Sequence, residues 1–577
     1  NSPYDDKPTG GENLSYFFKY QIWHMYVRYF LWNFVGRESD MQDYDWESGL
    51  EFSKLNKMPD FMRNDPTRNH YFFLPLILGL LGISWQVSRS NKDALIVGML
   101  FFFTGLAIVL YLNQTPQQPR ERDYSYAGSF QTFCIWIGLG VLGLADLLEK
   151  FLKKQAGMIA GAVSLLVPGI MLAQNFHDHN RSNNYVAPDS AYNLLNSCAP
   201  NAILFTNGDN DTFPLWYLQE VEGVRTDVRI VNLSLLNTDW YIHQLKNQKA
   251  NQSPPLPITL DEDQYMGEKN AVFGFQKSTF EVPVDMEKLI ANKVVSVSDT
   301  SKVEKPMKWE ISPRGGGSQT YLMKQDLMIL DMLIENAKRG WERPIYFAIT
   351  IPSSSFLSLT DFFQLEGLAY RVVPIRNSKN YPNSGYGMGH VHKEIMYENL
   401  MKKFKFRNLN DPTVFYDANI NRMVGNFRNN FLRLATAYMD DMDRAKLENL
   451  QMKAQNRPEF AAKIAENDQI IEQNRAKAKE ILDKALTMIS DETIPMESYF
   501  LVFYGSNYKR LGDMEAAKKY FQKGQERAEA WLKYYAAANK VVAEDDLNNY
   551  ALEMLKREMG APAPQETPEV PQDTAMK

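Results

Sequence analysis

The sequence predicts three regions in series: an α-helical membrane region, a mixed α/β domain, and an all-helical C-terminal domain with repeat-like helix pairs. Three observations carry this. Four apolar runs follow one another between Tyr71 and Ala173, strand-like and helix-like segments alternate over about 185–400, and a helical apolar period runs over about 425–560.

The chain has 577 residues, a formal net charge of −6 and two cysteines. That length allows roughly two to four domains. No long basic block occurs, which argues against nucleic acid as a partner. Cys134 and Cys198 are too few for a disulfide framework or a cysteine-based zinc site. The opening "NSPYDDKPTGGENLSYFF" has neither an initial Met nor a charged region before an apolar one, and it reads as the interior of a longer protein.

Residues 1–70 hold an aromatic segment and a loop. In "LSYFFKYQIWHMYVRYFLWNFVG", residues 14 to 36, ten of 23 residues are aromatic, interspersed with Lys19, His24 and Arg28. Trp and Tyr favour the bilayer interface, so an amphipathic helix on the membrane surface is expected, with a fifth span as the alternative. The apolar runs Tyr71–Val87, Ala94–Leu112, Phe130–Leu148 and Ala156–Ala173 are 17 to 19 residues long. About 20 residues cross a bilayer core, so residues 71–175 read as four spans; buried core helices are the competing reading. The links "SRSNKD" and "EKFLKKQ" are the dense Lys/Arg loops and are expected in the cytoplasm. Everything after Ala173, like the loop with "PRERDY", then lies on the non-cytoplasmic side.

In the α/β domain, about 185–400, "NAILFT" reads as a strand and "NGDND" as a turn. "TFPLWYLQEVEG" reads as a helix, "DVRIVNLSLL" as a second strand and "TDWYIHQLK" as a second helix. This β–α–β–α order predicts a parallel unit with the acidic turn at the strand's C-terminal end, where α/β folds place ligands. Farther on, "QDLMILDMLIENAKRG" is a helix and "RPIYFAIT" a strand. In the last domain, "YKRLGDMEAAKKYFQKG" has the spacing of a tetratricopeptide helix pair, a surface for a protein partner. The Pro-rich tail, 561–577, is expected to be disordered.

Several clusters can carry chemistry. Arg120, Glu121, Arg122 and Asp123 follow a Pro-rich turn on the non-cytoplasmic side. Arg forks suit phosphate oxygens, whereas the plainer reading is a solvated, self-paired loop. Arg37, Glu38, Asp40, Asp43 and Asp45 form a second cluster after the aromatic segment. Asp209 and Asp211 can contact a metal or sugar hydroxyls, although helix capping by Asp211 or Thr212 comes first on spacing alone. "PRGGGSQ", residues 313 to 319, lacks P-loop spacing and reads as a turn. The pairs His177/His179 and His390/His392 are thin metal signals, and no metal ligand set is assigned.

"RYFLWNFVGRESDMQD", "NQTPQQPRERDYSYAGSF", the whole of 201–246, "KQDLMILDMLIENAKRGWERPIYFA" and "EGLAYRVVP" occur in the expected order over roughly residues 14 to 380. Together they resemble the C-terminal portion of a bacterial multi-pass membrane family grouped with protein O-mannosyltransferase-like glycosyltransferases of the GT-C type. The resemblance implies transfer of a sugar, mannose-like, from a polyprenyl-phosphate donor to Ser/Thr of exported proteins. It also implies that the catalytic carboxylate lies in an N-terminal region preceding this chain, so none is named here. On that reading Arg120, Arg122 and Arg37 bind the donor phosphate, with Glu121, Asp123 and Tyr124 in support. Asn207, Asp209 and Asp211 contact sugar or acceptor, membrane lipids surround the spans, and no cofactor is assigned. The alternative is a non-catalytic membrane-anchored scaffold that presents the α/β and helical domains to partners.

Overall fold

The computed structural model describes residues 8–51, 58, 60–114, 121–316, 319–381, 387–537 and 546–560. Two compact units result. One comprises Asn1–Ser182, Phe415–Asn421 and Glu526–Leu552, the other Asn183–Val414, Arg422–Gln525 and Glu553–Lys577.

In the first unit the aromatic segment is a continuous helix. A Thr9/Glu12 capping box starts Gly10–Tyr16, wider π-type turns carry Phe17–Arg28, and Tyr29–Phe34 ends it. Its Phe30 and Phe34 pack edge-on against Phe133, with ring centroids 4.8 and 4.6 Å apart. The segment is therefore held by its own chain on one side, while Phe18 and Trp23 stay exposed. All four apolar runs are helical: Leu74–Arg89, Asn91–Phe103 with Leu106–Leu112, Ala127–Leu152, and Ala156–Ser164 with Leu166–His179. Two helical stretches, Asn91–Leu112 and Ala127–His179, are long and apolar enough to cross a membrane, and Leu74–Arg89 is shorter. The second stretch contains two of the four runs, on either side of Lys153 at φ 49°.

Helices Leu74–Arg89 and Ala127–Leu152 approach each other closely through glycines. A Cβ on Gly82 would sit 1.8 Å from the Trp136 carbonyl oxygen, and one on Gly140 would sit 2.0 Å from that of Leu78. Small residues at such a crossing bring backbones within contact, as they do between membrane helices. Trp136 donates to Gln86 Oε1 across this interface, 2.7 Å and buried. Across the apolar helices of this unit Leu95, Ile96, Met99, Phe103, Leu142, Met158 and Leu172 are exposed.

The second unit is built on a six-stranded mixed sheet. Its strands are β1 (Ile203–Thr206), β2 (Arg229–Asn232), β3 (Ile345–Ala348), β4 (Phe363–Leu365), β5 (Ala369–Val372) and β6 (His390–Val391). Their order is β6-β4-β5-β3-β1-β2, with β3, β1 and β2 mutually parallel and β5 antiparallel to both neighbours. Every residue of β1, β2 and β3 is buried, as expected for strands covered on both faces. The parallel core and the helices Asp209–Glu220, Asp239–Asn247 and Lys324–Lys338 follow the sequence expectation. The antiparallel half was not anticipated. Nor were the small ladders between β2 and β3, in which Ser278–Val282 pairs with Met307–Ile311. In "PRGGGSQ", expected as a turn, Gly317 and Ser318 lie outside the described residues; Arg314–Gly316 pairs antiparallel with Gln319–Met323, and Arg314 grips Asp326 with two bonds of 2.7 and 2.9 Å.

The C-terminal region is helical: Ala418–Gln455, Ala461–Met488, Ser498–Leu511, Met514–Ala537 and Leu547–Glu558. The third and fourth form the expected hairpin, turned at Gly512 (φ 87°). The first two, of 38 and 28 residues, exceed what a repeat of about 34 residues and two helices can hold. The repeat array expected from the sequence is thus one helix pair beside long helices. Residues 561–577 lie outside the described residues.

Candidate functional site

In the first unit the charged loop is anchored by a residue outside its own cluster. Arg120 lies outside the described residues, as does the side chain of Asp123. Glu121 is held from the aromatic helix and the loop that follows it. Its Oε1 accepts from Arg28 Nη2 (2.6 Å) and from the Asp43 amide (3.2 Å). Arg28 also donates through Nε to the His24 carbonyl (2.8 Å) and through Nη1 to that of Tyr44 (2.6 Å), and it lies 5.1 Å from the Trp32 ring centroid. Arg28 and Glu121 are only 2% and 14% exposed, so this pair is an internal clamp. Arg122 Nη1 donates to the Tyr124 hydroxyl at 2.6 Å. Tyr20, His24, Arg28, Asp43, Glu121 and Arg122 line a small cleft. A hydrogen bond from His24 is the main cause holding the Asp43 carboxyl below its usual range.

Arg37 is engaged as well. It pairs with the buried Asp178 and donates Nε to the Thr67 carbonyl at 2.8 Å. An incoming phosphate would have to compete with Asp178. Nearby, burial and the charge of Asp65 push Asp40 up to about 6, against the pull of Arg37.

In the second unit the "NGDND" turn lies at the C-terminal end of β1. The chain leaves β1 for β2 on one side and later returns to β3 on the other, and such crevices hold ligands in α/β sheets. Asp211 spans the crevice, accepting from Thr350 Oγ1 (2.6 Å) just after β3. Burial raises its pKa more than that bond lowers it. Asn207 accepts from Ser234 after β2 (3.2 Å), and Asp209 is exposed. The capping expectation fails, because Gly208 at φ 75° occupies the N-cap and no side chain caps the helix. Thr212 instead joins a buried network with Thr206 and Asn232, at 2.8 Å to each. At the same edge Phe213 and Trp240 are about half exposed, and Phe213 stacks on Trp216 at 5.5 Å. Sequence reasoning passed over these rings as ordinary helix residues. The signal was their place in the first two turns of helices that follow β1 and β2.

The histidine pairs do not converge on a metal. His177 sits edge-on to Phe415, His390 stacks on Tyr381 with centroids 3.5 Å apart, and His392 accepts the Ile395 amide. Among the described residues no three His, Cys, Asp or Glu gather in a metal-binding arrangement.

Comparison with known proteins points to one class. A family model described as TMEM260-associated domain 2 matches residues 187–279 and 274–394, the α/β segment of the second unit. Together with the match that follows, it shows the resemblance to protein O-mannosyltransferase-like proteins that the sequence segments carry. The chain is 22% identical over 252 residues to the protein O-mannosyl-transferase tmem260 of Dictyostelium discoideum, a match covering 40% of this chain and 30% of that relative. The chain thus spans about 30% of the length of the curated relative it matches. No solved structure matches it significantly.

Proposed function

We propose that the chain is part of a membrane glycosyltransferase that moves a sugar, mannose-like, from a polyprenyl-phosphate donor to Ser/Thr of exported proteins. The observation that carries this reading is the match to a protein O-mannosyl-transferase, beside the family model that covers the α/β segment. The exposed Leu95, Ile96, Met99 and Phe103 support lipid around the apolar helices, since water disfavours such a surface. On this reading the four apolar runs each cross a bacterial inner membrane, and residues 174–577 lie in the periplasm. Reporter fusions after Ser90 and after Gln155 then read cytoplasm, and a fusion after Asn184 reads periplasm.

Arg122, with Arg120 and Arg37, is the donor-phosphate group. Guanidiniums there stabilise the negative charge that develops on the leaving phosphate. Asn207, Asp209 and Asp211 contact the sugar or acceptor, with Phe213 and Trp240 as stacking faces beside them. No catalytic carboxylate is assigned within this chain. The test is transfer of labelled sugar from a polyprenyl-phosphate donor to an acceptor protein by the full-length, membrane-inserted enzyme. Arg122→Lys lowers turnover and Arg122→Ala lowers it by roughly 10- to 150-fold, the worth of one charge-assisted hydrogen bond. Native-like transfer by Arg120→Ala/Arg122→Ala overturns the phosphate assignment, and absence of transfer by the native protein overturns the activity.

A further inference from the structure

Away from the "NGDND" edge, the second unit contains a cavity of about 350 Å³. Its floor is the β6-β4-β5 side of the sheet, and its wall is the segment after helix Met286–Ala291. Gln364 and Arg371 are cross-strand partners on β4 and β5 and so share the face that lines the cavity. His392 follows β6, whose His390 pairs with Gln364 in register.

Arg371 is the feature that asks for a ligand. It is 5% exposed, donates Nη2 to the Lys293 carbonyl (3.2 Å), and holds Nη1 at 3.5 Å from Glu366. Its Nε has no hydrogen-bond partner among the described residues. A cationic N–H left unpaired in a buried site is costly, and an oxygen entering the cavity would satisfy it. The neighbouring charges are accounted for. Asp299 is held by Lys302 (2.8 Å) and by the Ser296 hydroxyl (2.6 Å), and Glu366 accepts from Tyr346 and Gln364. His392 accepts the Ile395 amide at Nδ1 (3.4 Å), and the same nitrogen lies 3.5 Å from Glu394 Oε2. Lys293, Val295 and Ser296 also line the cavity, and the rest of the lining is branched aliphatic: Ile290, Val294, Val297, Ile375 and Ile395.

We propose that this cavity binds a carboxylate carried on a small branched aliphatic body, with the anionic oxygen on Arg371 Nε and the body against the valine and isoleucine wall. A carboxylate brings one negative charge beside Arg371, whereas a phosphate brings about two and so costs more to bury. A wall without aromatic rings gives a sugar nothing to stack on. The same chemistry is presented by a free branched short-chain acid and by the C-terminal residue of a polypeptide ending in an aliphatic side chain. None of the cavity's lining residues is among the donor and acceptor groups proposed above.

The experiment is equilibrium dialysis of the full chain in detergent with four labelled probes: isovalerate, isovaleramide, a tripeptide acid ending in valine, and its amide. Saturable binding of either acid is expected, with its amide roughly tenfold or more weaker because the charge-assisted bond is lost. Binding of isovalerate assigns the site to a free acid, and binding of the tripeptide acid alone assigns it to a polypeptide terminus. Arg371→Gln should abolish binding. Because that change leaves Glu366 without its cation and can prevent folding, Ile290→Trp at the half-open rim fills the cavity instead. It should weaken binding at least tenfold at an unchanged unfolding temperature. No saturable binding of either acid by the native protein, equal binding of acid and amide, or native affinity in folded Ile290→Trp overturns the proposal.

Discussion

Replacing Arg28 by Leu should release the charged loop from the aromatic helix. The change removes hydrogen bonds of 2.8, 2.6 and 2.6 Å to the His24 carbonyl, the Tyr44 carbonyl and Glu121. It also removes the guanidinium 5.1 Å from the Trp32 ring. With side chains 2% and 14% exposed, little water screens the pair, so the full penalty for orphaning a buried carboxylate applies. That penalty is about 3–5 kcal/mol. At about 1.4 kcal/mol per power of ten, amide protection around Tyr44 and Glu121 should fall by roughly two to three and a half powers of ten, or to the unprotected rate if that comes first. The assay is hydrogen exchange read by mass spectrometry on peptides covering residues 36–48 and 121–130, in detergent. Glu121→Leu in the Arg28→Leu background should recover part of the loss, because no charge is then left buried alone. A change of less than about tenfold in Arg28→Leu, or no recovery in the double variant, would refute the clamp.

Gly82→Ala places a methyl 1.8 Å from the Trp136 carbonyl oxygen, so the two apolar helices must separate. Overpacking of this kind costs about 1–3 kcal/mol, and the unfolding temperature in detergent should fall. Gly98→Ala, with nothing within 4 Å of the added carbon, is the control that should not change it. His390 is pushed down to about 4, first by burial and then by the charges of His392, Lys302 and Lys393, with Asp299 opposing. The unfolded chain therefore takes up this proton first, so the stability it contributes is full above pH ~6.5 and lost as pH falls through about 4. His390→Phe keeps a ring on Tyr381 and should flatten urea unfolding between those pH values; an unchanged slope would sink the assignment. Asp40 has the opposite sign, since a carboxyl raised to about 6 makes the native state bind the extra proton. Asp40→Asn should slow exchange of residues 36–48 above pH 6 and have no effect near pH 3. A stabilisation that persists at pH 3 would count against a titration origin.

The candidate site was legible to different depths. "NAILFTNGDND" signalled a strand and a turn at its C-terminal end, and the sheet puts the turn there. The partners of that turn, Thr350 and Ser234, follow other strands, 139 and 27 residues away in sequence, and nothing local points to them. The aromatic segment was legible as a helix. That its phenylalanines pack on Phe133 depends on which helix comes to lie beside it.

By itself the sequence determined the elements: helical apolar runs, the parallel β1-β2 unit, the hairpin at Gly512. It also carried the resemblance to O-mannosyltransferase-like proteins. These follow from periodicity, turn residues and propensity, which act over one or two turns of chain. Only the tertiary structure decided which charges meet: Arg28 with Glu121 across 93 residues, and Arg37 with Asp178 across 141. It alone joined Gln364, Arg371 and His392 to the segment after Met286–Ala291 around one cavity. A buried charge must find an opposite charge or a carbonyl, and the sequence holds many candidates for each at every distance. Only the packing of helices and strands leaves one of them within reach.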